Sequence, residues 1–169
     1  GAYSAALIPV FSGIVIDSKN DHEAADFVEN TMSFLLIVSV ILTIICFFGM
    51  PFIIQILAPG FTSNPIAFDL AVHFGKIIFP YIIFISLVQH FTSILNVHDR
   101  FARGTLTSSI LNISFILSLF LLTPQLPSAG HALSYAVLIG GLFQFILMYH
   151  GILGFYRPRI KWPEIDKKF

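Results

Sequence analysis

Residues 31–57 read TMSFLLIVSVILTIICFFGMPFIIQIL, and the run contains no Asp, Glu, Lys or Arg. As a helix this stretch reaches about 40 Å, enough to cross a hydrocarbon core about 30 Å thick. A membrane-barrel strand would alternate apolar and polar residues, which this run does not. It therefore reads as a transmembrane helix, with Pro51 predicting a kink towards its far end.

The rest of the chain repeats that pattern. Ala58-Pro59-Gly60-Phe61 and Asn64-Pro65 close the first span with turn-forming residues. Further spans are expected over about 67–97, 106–122 and 132–155, the third ending at Thr123-Pro124-Gln125-Leu126-Pro127. Ahead of them, residues 1–16 are apolar but reach only about 22 Å over Ala2–Ile16, so they read as the end of a broken transmembrane helix that begins outside the chain. Residues 17–30 read as a solvated acidic loop that starts the next helix. Residues 156–169 read as a basic tail or the start of a linker. The fold expected is an all-α, polytopic transmembrane helix bundle.

Composition agrees. Of 169 residues 56% are hydrophobic and 11% charged, with a mean hydropathy of +0.87. A soluble domain carries about 25% charged residues, which it needs to cover its surface. Zero net charge offers nothing to a nucleic acid. The single Cys46 excludes an internal disulfide framework, and the six histidines follow no metal-ligand spacing.

Cations orient the bundle. Lys19 precedes the first span, Arg100 and Arg103 separate the second and third, and Arg157, Arg159, Lys161, Lys167 and Lys168 follow the fourth. The joints at 58–66 and 123–131 hold no Lys or Arg. Positive loops stay in the cytoplasm, so residues 17–30, 98–104 and 156–169 are expected inside. Lys76 is the exception. The apolar residues between Ile77 and Leu95 contribute about −4 to −7 kcal/mol of insertion free energy, against about 3 for one central Lys. Twenty-four positions separate Lys76 from Arg100, about 36 Å of helix, so Lys76 is expected near the outer interface. There it either snorkels to the headgroups or faces a cavity.

Polar residues inside spans need a partner helix or a cavity. Ser86, Gln89, Ser93 and Asn96 form one stripe on span two. Thr105, Ser108 and Asn112 form another on span three, while Ser134, Gly140, Gly141 and Gln144 mark span four. Either reading, helix–helix contact or hydrophilic cavity, suits these spacings. No Asp or Glu lies in the middle of a span, and Asp69 is the only acidic residue between Asn30 and Asp99. That argues against an ion-coupled carboxylate site and against acid–base or metal catalysis, so no enzyme activity, catalytic residue or cofactor is expected.

Local strings add a resemblance. Gly1-Ala2-Tyr3-Ser4-Ala5-Ala6-Leu7-Ile8-Pro9-Val10-Phe11, Ala58-Pro59-Gly60-Phe61 and Lys76-Ile77-Ile78-Phe79-Pro80-Tyr81-Ile82-Ile83-Phe84-Ile85-Ser86-Leu87 come first. Ile94-Leu95-Asn96 with Arg100-Phe101, Leu111-Asn112-Ile113, and Ala136-Val137-Leu138-Ile139-Gly140-Gly141 with Gln144 follow in order. Together they resemble the MurJ (MviN) family of lipid II flippases, within the multidrug/oligosaccharidyl-lipid/polysaccharide exporter superfamily. The resemblance implies a multi-pass protein of the bacterial inner membrane, built of two lobes. Such proteins move undecaprenyl-pyrophosphate-linked peptidoglycan precursor from the inner to the outer leaflet by alternating access.

On that resemblance the chain corresponds to the end of the second helix through the sixth, in the N-terminal lobe. Its partners would be the lipid-linked substrate, membrane lipids and the remainder of the flippase. The substrate path would run along Lys76, Ser86, Gln89, Ser93 and Asn96, supported by Ser4, Asn112 and Gln144. The chain departs from the family pattern where Thr107, Ser108 and Ser109 stand in place of a proline, and again around Tyr149. The alternatives are a flippase for another undecaprenyl-linked glycan and a truncated membrane remnant that does not transport.

Overall fold

In a computed structural model, which describes residues 2–17 and 21–162, the chain is an all-α bundle. Its helices are α1 (Ala2–Asp17), α2 (Asp21–Leu57), α3 (Pro65–Ile78), α4 (Tyr81–Val97), α5 (Ala102–Leu121) and α6 (Ala129–Ile152). Two short 3-10 turns, Pro59–Ser63 and Thr123–Gln125, fill the joints where Pro-Gly and Pro-Gln were read as breaks. Four segments are long and apolar enough to cross a membrane: His22–Leu57, Pro65–Val97, Ala102–Leu121 and Ala129–Ile152.

Two boundaries differ from expectation. The acidic segment expected as a loop over 17–30 is helical from Asp21, so α2 holds 37 residues, about 55 Å, and its first turns extend past the apolar run. It passes through Pro51 as one helix. The second span, expected as one run over 67–97, is two helices, because Pro80 has no N–H to give the carbonyl of Lys76 and its ring crowds that turn. The chain steps across Phe79-Pro80 and resumes, with Phe79 N–H still bonded to Gly75 O at 2.9 Å. Asn64 starts α3 by accepting from Ala67 N–H at 3.2 Å, with Pro65 in the first turn.

The core sits where α1, α2, α4 and α6 meet. Phe11, Val28, Phe91, Ile94, Leu95, Met148 and Ile152 are fully or almost fully buried there. α5 lies to one side, packed chiefly on α6. The opposite surface of α2 bears Phe34, Val38, Ile41, Ile45, Phe48, Phe52 and Ile56, all exposed. Steps of three and four put these on one stripe, as a lipid-facing surface requires.

Helix ends gather by charge. Lys161 reaches the start of α2, His98 after α4 meets Tyr156 after α6, and Arg103 at the start of α5 meets the end of α6. At the other end, Phe74 of α3 packs against His131 of α6 with centroids 4.9 Å apart. The basic segments 98–104 and 156–162 thus share one end of the bundle. Lys19, Lys167 and Lys168 lie outside the described residues.

Candidate functional site

The polar residues sort into interhelical seams and an open face. In the seam between α1 and α4, the Ser93 hydroxyl lies 2.8 Å from its own helix's Gln89 carbonyl and 2.9 Å from Ser4 Oγ. One hydroxyl carries one proton, so Ser93 donates to the carbonyl and accepts from Ser4. One turn away, Tyr3 Oη is 2.8 Å from His90 Nδ1, and His90 Nε2 is 3.2 Å from Val28 O. The Val28 carbonyl can only accept, so the ring donates through Nε2 and, when neutral, accepts the Tyr3 hydroxyl at Nδ1. His90 and Ser93 are wholly buried. This node ties α1, α2 and α4 together.

A second seam joins α4, α5 and α6. Gln144 is 2% exposed; its Oε1 accepts from Tyr81 Oη at 3.2 Å and its Nε2 donates to Thr107 O at 2.7 Å. The Thr107 carbonyl is thereby tied to α6. Gly140 and Gly141 let the helices close here. A Cβ on Gly141 would sit 2.6 Å from the Tyr81 ring, and one on Gly140 2.8 Å from Leu111. Beside them Ser114 Oγ donates to Ala136 O at 2.7 Å.

Of the eight residues expected on a substrate path, Ser4, Ser93 and Gln144 therefore spend their polar atoms on neighbouring helices. Ser86 donates to Ile82 O of its own helix. Gln89 and Asn96 are half-buried on α4. Lys76 is half-buried with its ammonium 5.3 Å from the Phe47 ring centroid on α2, a cation–π contact. Asn112 is exposed on α5, with Thr105, Ser108 and Ser109. The eight do not converge on one place in this bundle. Spacing alone did not single out Tyr3, His90, Tyr81 and Ser114; the signal for them is the residue type, a hydrogen-bonding side chain inside an apolar helix.

The face on α5 is the feature that lipid cannot satisfy. Thr105 and Thr107 bond carbonyls of their own first turns. The exposed Ser108 and Asn112 lie one turn apart on a surface otherwise made of Leu106, Ile113, Ile116 and Leu117. A carboxamide facing hydrocarbon is costly, so this face is built to meet water, a ligand or another helix. Among the described residues there is no group of three or more His, Cys, Asp or Glu that could hold a metal.

An all-α bundle with four helices long and apolar enough to cross a membrane, polar seams and an open polar helix face defines a polytopic membrane protein. Residues 1–169 match the family described as lipid II flippase MurJ. The chain is similar to the lipid II flippase MurJ of Burkholderia cenocepacia, 31% identical over 153 residues, which is 90% of this chain and 29% of that protein. A protein of Rhizobium meliloti named "Probable lipid II flippase MurJ" is 31% identical over 177 residues, covering 99% of this chain and 33% of the relative. One of the same name from Buchnera aphidicola subsp. Schizaphis graminum is 35% identical over 150 residues, 88% of this chain and 29% of the relative. The chain belongs to the lipid II flippase MurJ family. It spans about a third of the length of these curated relatives.

Proposed function

We propose that this chain forms part of the N-terminal lobe of a flippase in the bacterial inner membrane. That flippase moves an undecaprenyl-pyrophosphate-linked peptidoglycan precursor from inner to outer leaflet by alternating access. The family match across all 169 residues supports the substrate class. The observation that carries a working role for this piece is the α5 face, Thr105, Ser108 and Asn112, exposed at one edge of an apolar bundle. In this reading the face lines the aqueous path between lobes, where hydroxyls and a carboxamide can hydrogen-bond a passing sugar–phosphate headgroup while its lipid tail stays in the bilayer. Lys76, Gln89 and Asn96 offer further polar atoms, Ser86 is satisfied within its own helix, and Ser4, Ser93 and Gln144 hold the helices in register. The protein would be a transporter with no catalytic residue.

The test grafts residues 1–169 in place of the matching segment of a full-length relative and measures lipid II exposed at the outer leaflet of a depleted strain. The graft is expected to restore exposure. Replacing Thr105, Ser108 and Asn112 together by Leu is expected to abolish it with membrane insertion unchanged. Full exposure by the triple variant would remove this face from the path, and an inserted graft that restores nothing would count against the reading as a whole.

A further inference from the structure

At the basic end of the bundle α4, α5 and α6 border an open pocket of about 350 Å³, lined by Arg100, Arg103 and His150 together with Leu95, Gly151 and Phe155. No acidic residue lines it. Among the described residues neither arginine is in an ion pair. The pocket is shaped by its sequence. Asp99 takes a left-handed conformation (φ 58°), which turns the chain so that Arg100 N–H bonds back to Leu95 O at 2.9 Å and starts Arg100 at the pocket rim. The Asp99 carboxylate acts on the neighbouring His98 ring, which lies outside this lining. Arg103 lies in a notch made by Gly151, where an added Cβ would come within 2.9 Å of its Cδ, and it donates to Leu147 O at 3.3 Å. That bond holds the guanidinium against the end of α6 and uses one of its five N–H donors. The first turn of α5, which opens here, has no side-chain cap and no acidic residue, so its free N–H groups add to the positive field.

We infer that this cavity is an anion site for a phosphodiester, filled by the headgroup of an anionic phospholipid. Two guanidiniums with matched fork geometry suit phosphate oxygens, and the His150 ring supplies a further polar atom. The apolar lining, Leu95 and the Phe155 ring, suits the start of an acyl chain, which a free phosphate does not possess. Basic pockets between membrane helices at the interface take lipid headgroups for this reason. The site is separate from the α5 face proposed for transport, and its occupancy requires no transport.

Native mass spectrometry of the detergent-purified chain, titrated with dioleoylphosphatidylglycerol or dioleoylphosphatidylcholine, reads it directly. Phosphatidylglycerol is expected to be retained in preference. Retention should weaken about fivefold for each arginine removed, in Arg100→Gln and in Arg100→Gln/Arg103→Gln. Gly151→Leu, which fills the notch with every charge kept, is expected to weaken it too. Arg159→Gln/Lys161→Gln, outside the cavity, should leave retention unchanged. Because Arg100 is exposed, its single variant tests the site even where the double variant loses helicity. Equal weakening by the control pair would reduce the effect to general surface charge and overturn the site. So would unchanged retention in Arg100→Gln, or displacement of the lipid by millimolar inorganic phosphate, which would make free phosphate the ligand.

Discussion

Gln144 illustrates how a single residue decides helix geometry inside a membrane. Its carboxamide serves two helices at once, accepting from Tyr81 and donating to the Thr107 carbonyl. Interhelical hydrogen bonds in bilayers contribute about 0.6 to 2 kcal/mol each. Gln144→Leu removes both, so the bundle is expected to lose about 1–3 kcal/mol, measured by reversible unfolding in mixed micelles. Tyr3 and His90 form a test of a different kind. Tyr3→Phe keeps the ring and deletes the hydroxyl, leaving buried Nδ1 without its donor. A double-mutant cycle of Tyr3→Phe with His90→Leu is expected to show coupling of about 1 kcal/mol. Zero coupling would mean the 2.8 Å contact is without energetic weight.

At the scale of elements, close approach is set by glycines that differ in what surrounds them. Gly141 meets the Tyr81 ring and Gly75 meets the Met50 side chain, whereas Gly49 has open space around its missing Cβ. Gly141→Val should therefore push Tyr81 aside and break its bond to Gln144, separating α6 from α4 at a cost of about 1–3 kcal/mol. Gly49→Ala should be neutral or stabilising by up to about 1 kcal/mol, since only helix propensity changes. Unfolding of the two variants side by side checks the contrast; equal losses would refute it. Gly75→Ala is expected in between, because the Met50 thioether is flexible enough to move.

For the whole molecule, the tail is held to the start of α2. Lys161 Nζ lies 2.8 Å from Asp26 and 3.2 Å from Glu29, Lys161 N–H bonds Ser33 Oγ, and Arg159 N–H bonds Glu29. These groups precede or face the apolar run of α2, and Asp26 is exposed, so the pairs contribute little to global stability. Lys161 holds the Asp26 carboxyl below the usual carboxylate range, first by its hydrogen bond and then by its charge. A depressed carboxyl pKa stabilises above the unfolded value, and that contribution is lost as pH falls through the folded value. Protection of the amides over residues 157–161, taken relative to their intrinsic exchange rates, is therefore expected to fall as pH drops through the lowered Asp26 value. Lys161→Ala should remove that protection at neutral pH while the unfolding midpoint stays in place. Sidedness is a second prediction at this scale. With Cys46 replaced by Ser, a membrane-impermeant maleimide added outside intact cells should label Ser63→Cys and leave Arg100→Cys unlabelled; the reverse pattern would invert the orientation read from the cations.

The sequence by itself determined the solvent, the helical class, the number of spans and the family. Each of these follows from local quantities: a run of uncharged residues long enough to cross a bilayer, turn residues between runs, and strings in order along the chain. The start of the second span, expected at about residue 67 with Asn64-Pro65 closing the first, lies at Pro65, where Asn64 caps the helix. Only the tertiary structure decided what each polar residue does. Ser93 and Asn112 look alike on a helical wheel, both polar and both on a stripe. Yet Ser93 is sealed against Ser4 while Asn112 stands open at the bundle's edge. Likewise Arg100 and Arg103 counted only as positive loop charges until α6 placed Gly151 against Arg103 and brought both arginines to one pocket. The physical reason is that periodicity defines a helix face but carries no information about which neighbour that face will meet, and a hydrogen bond or a pocket requires both sides.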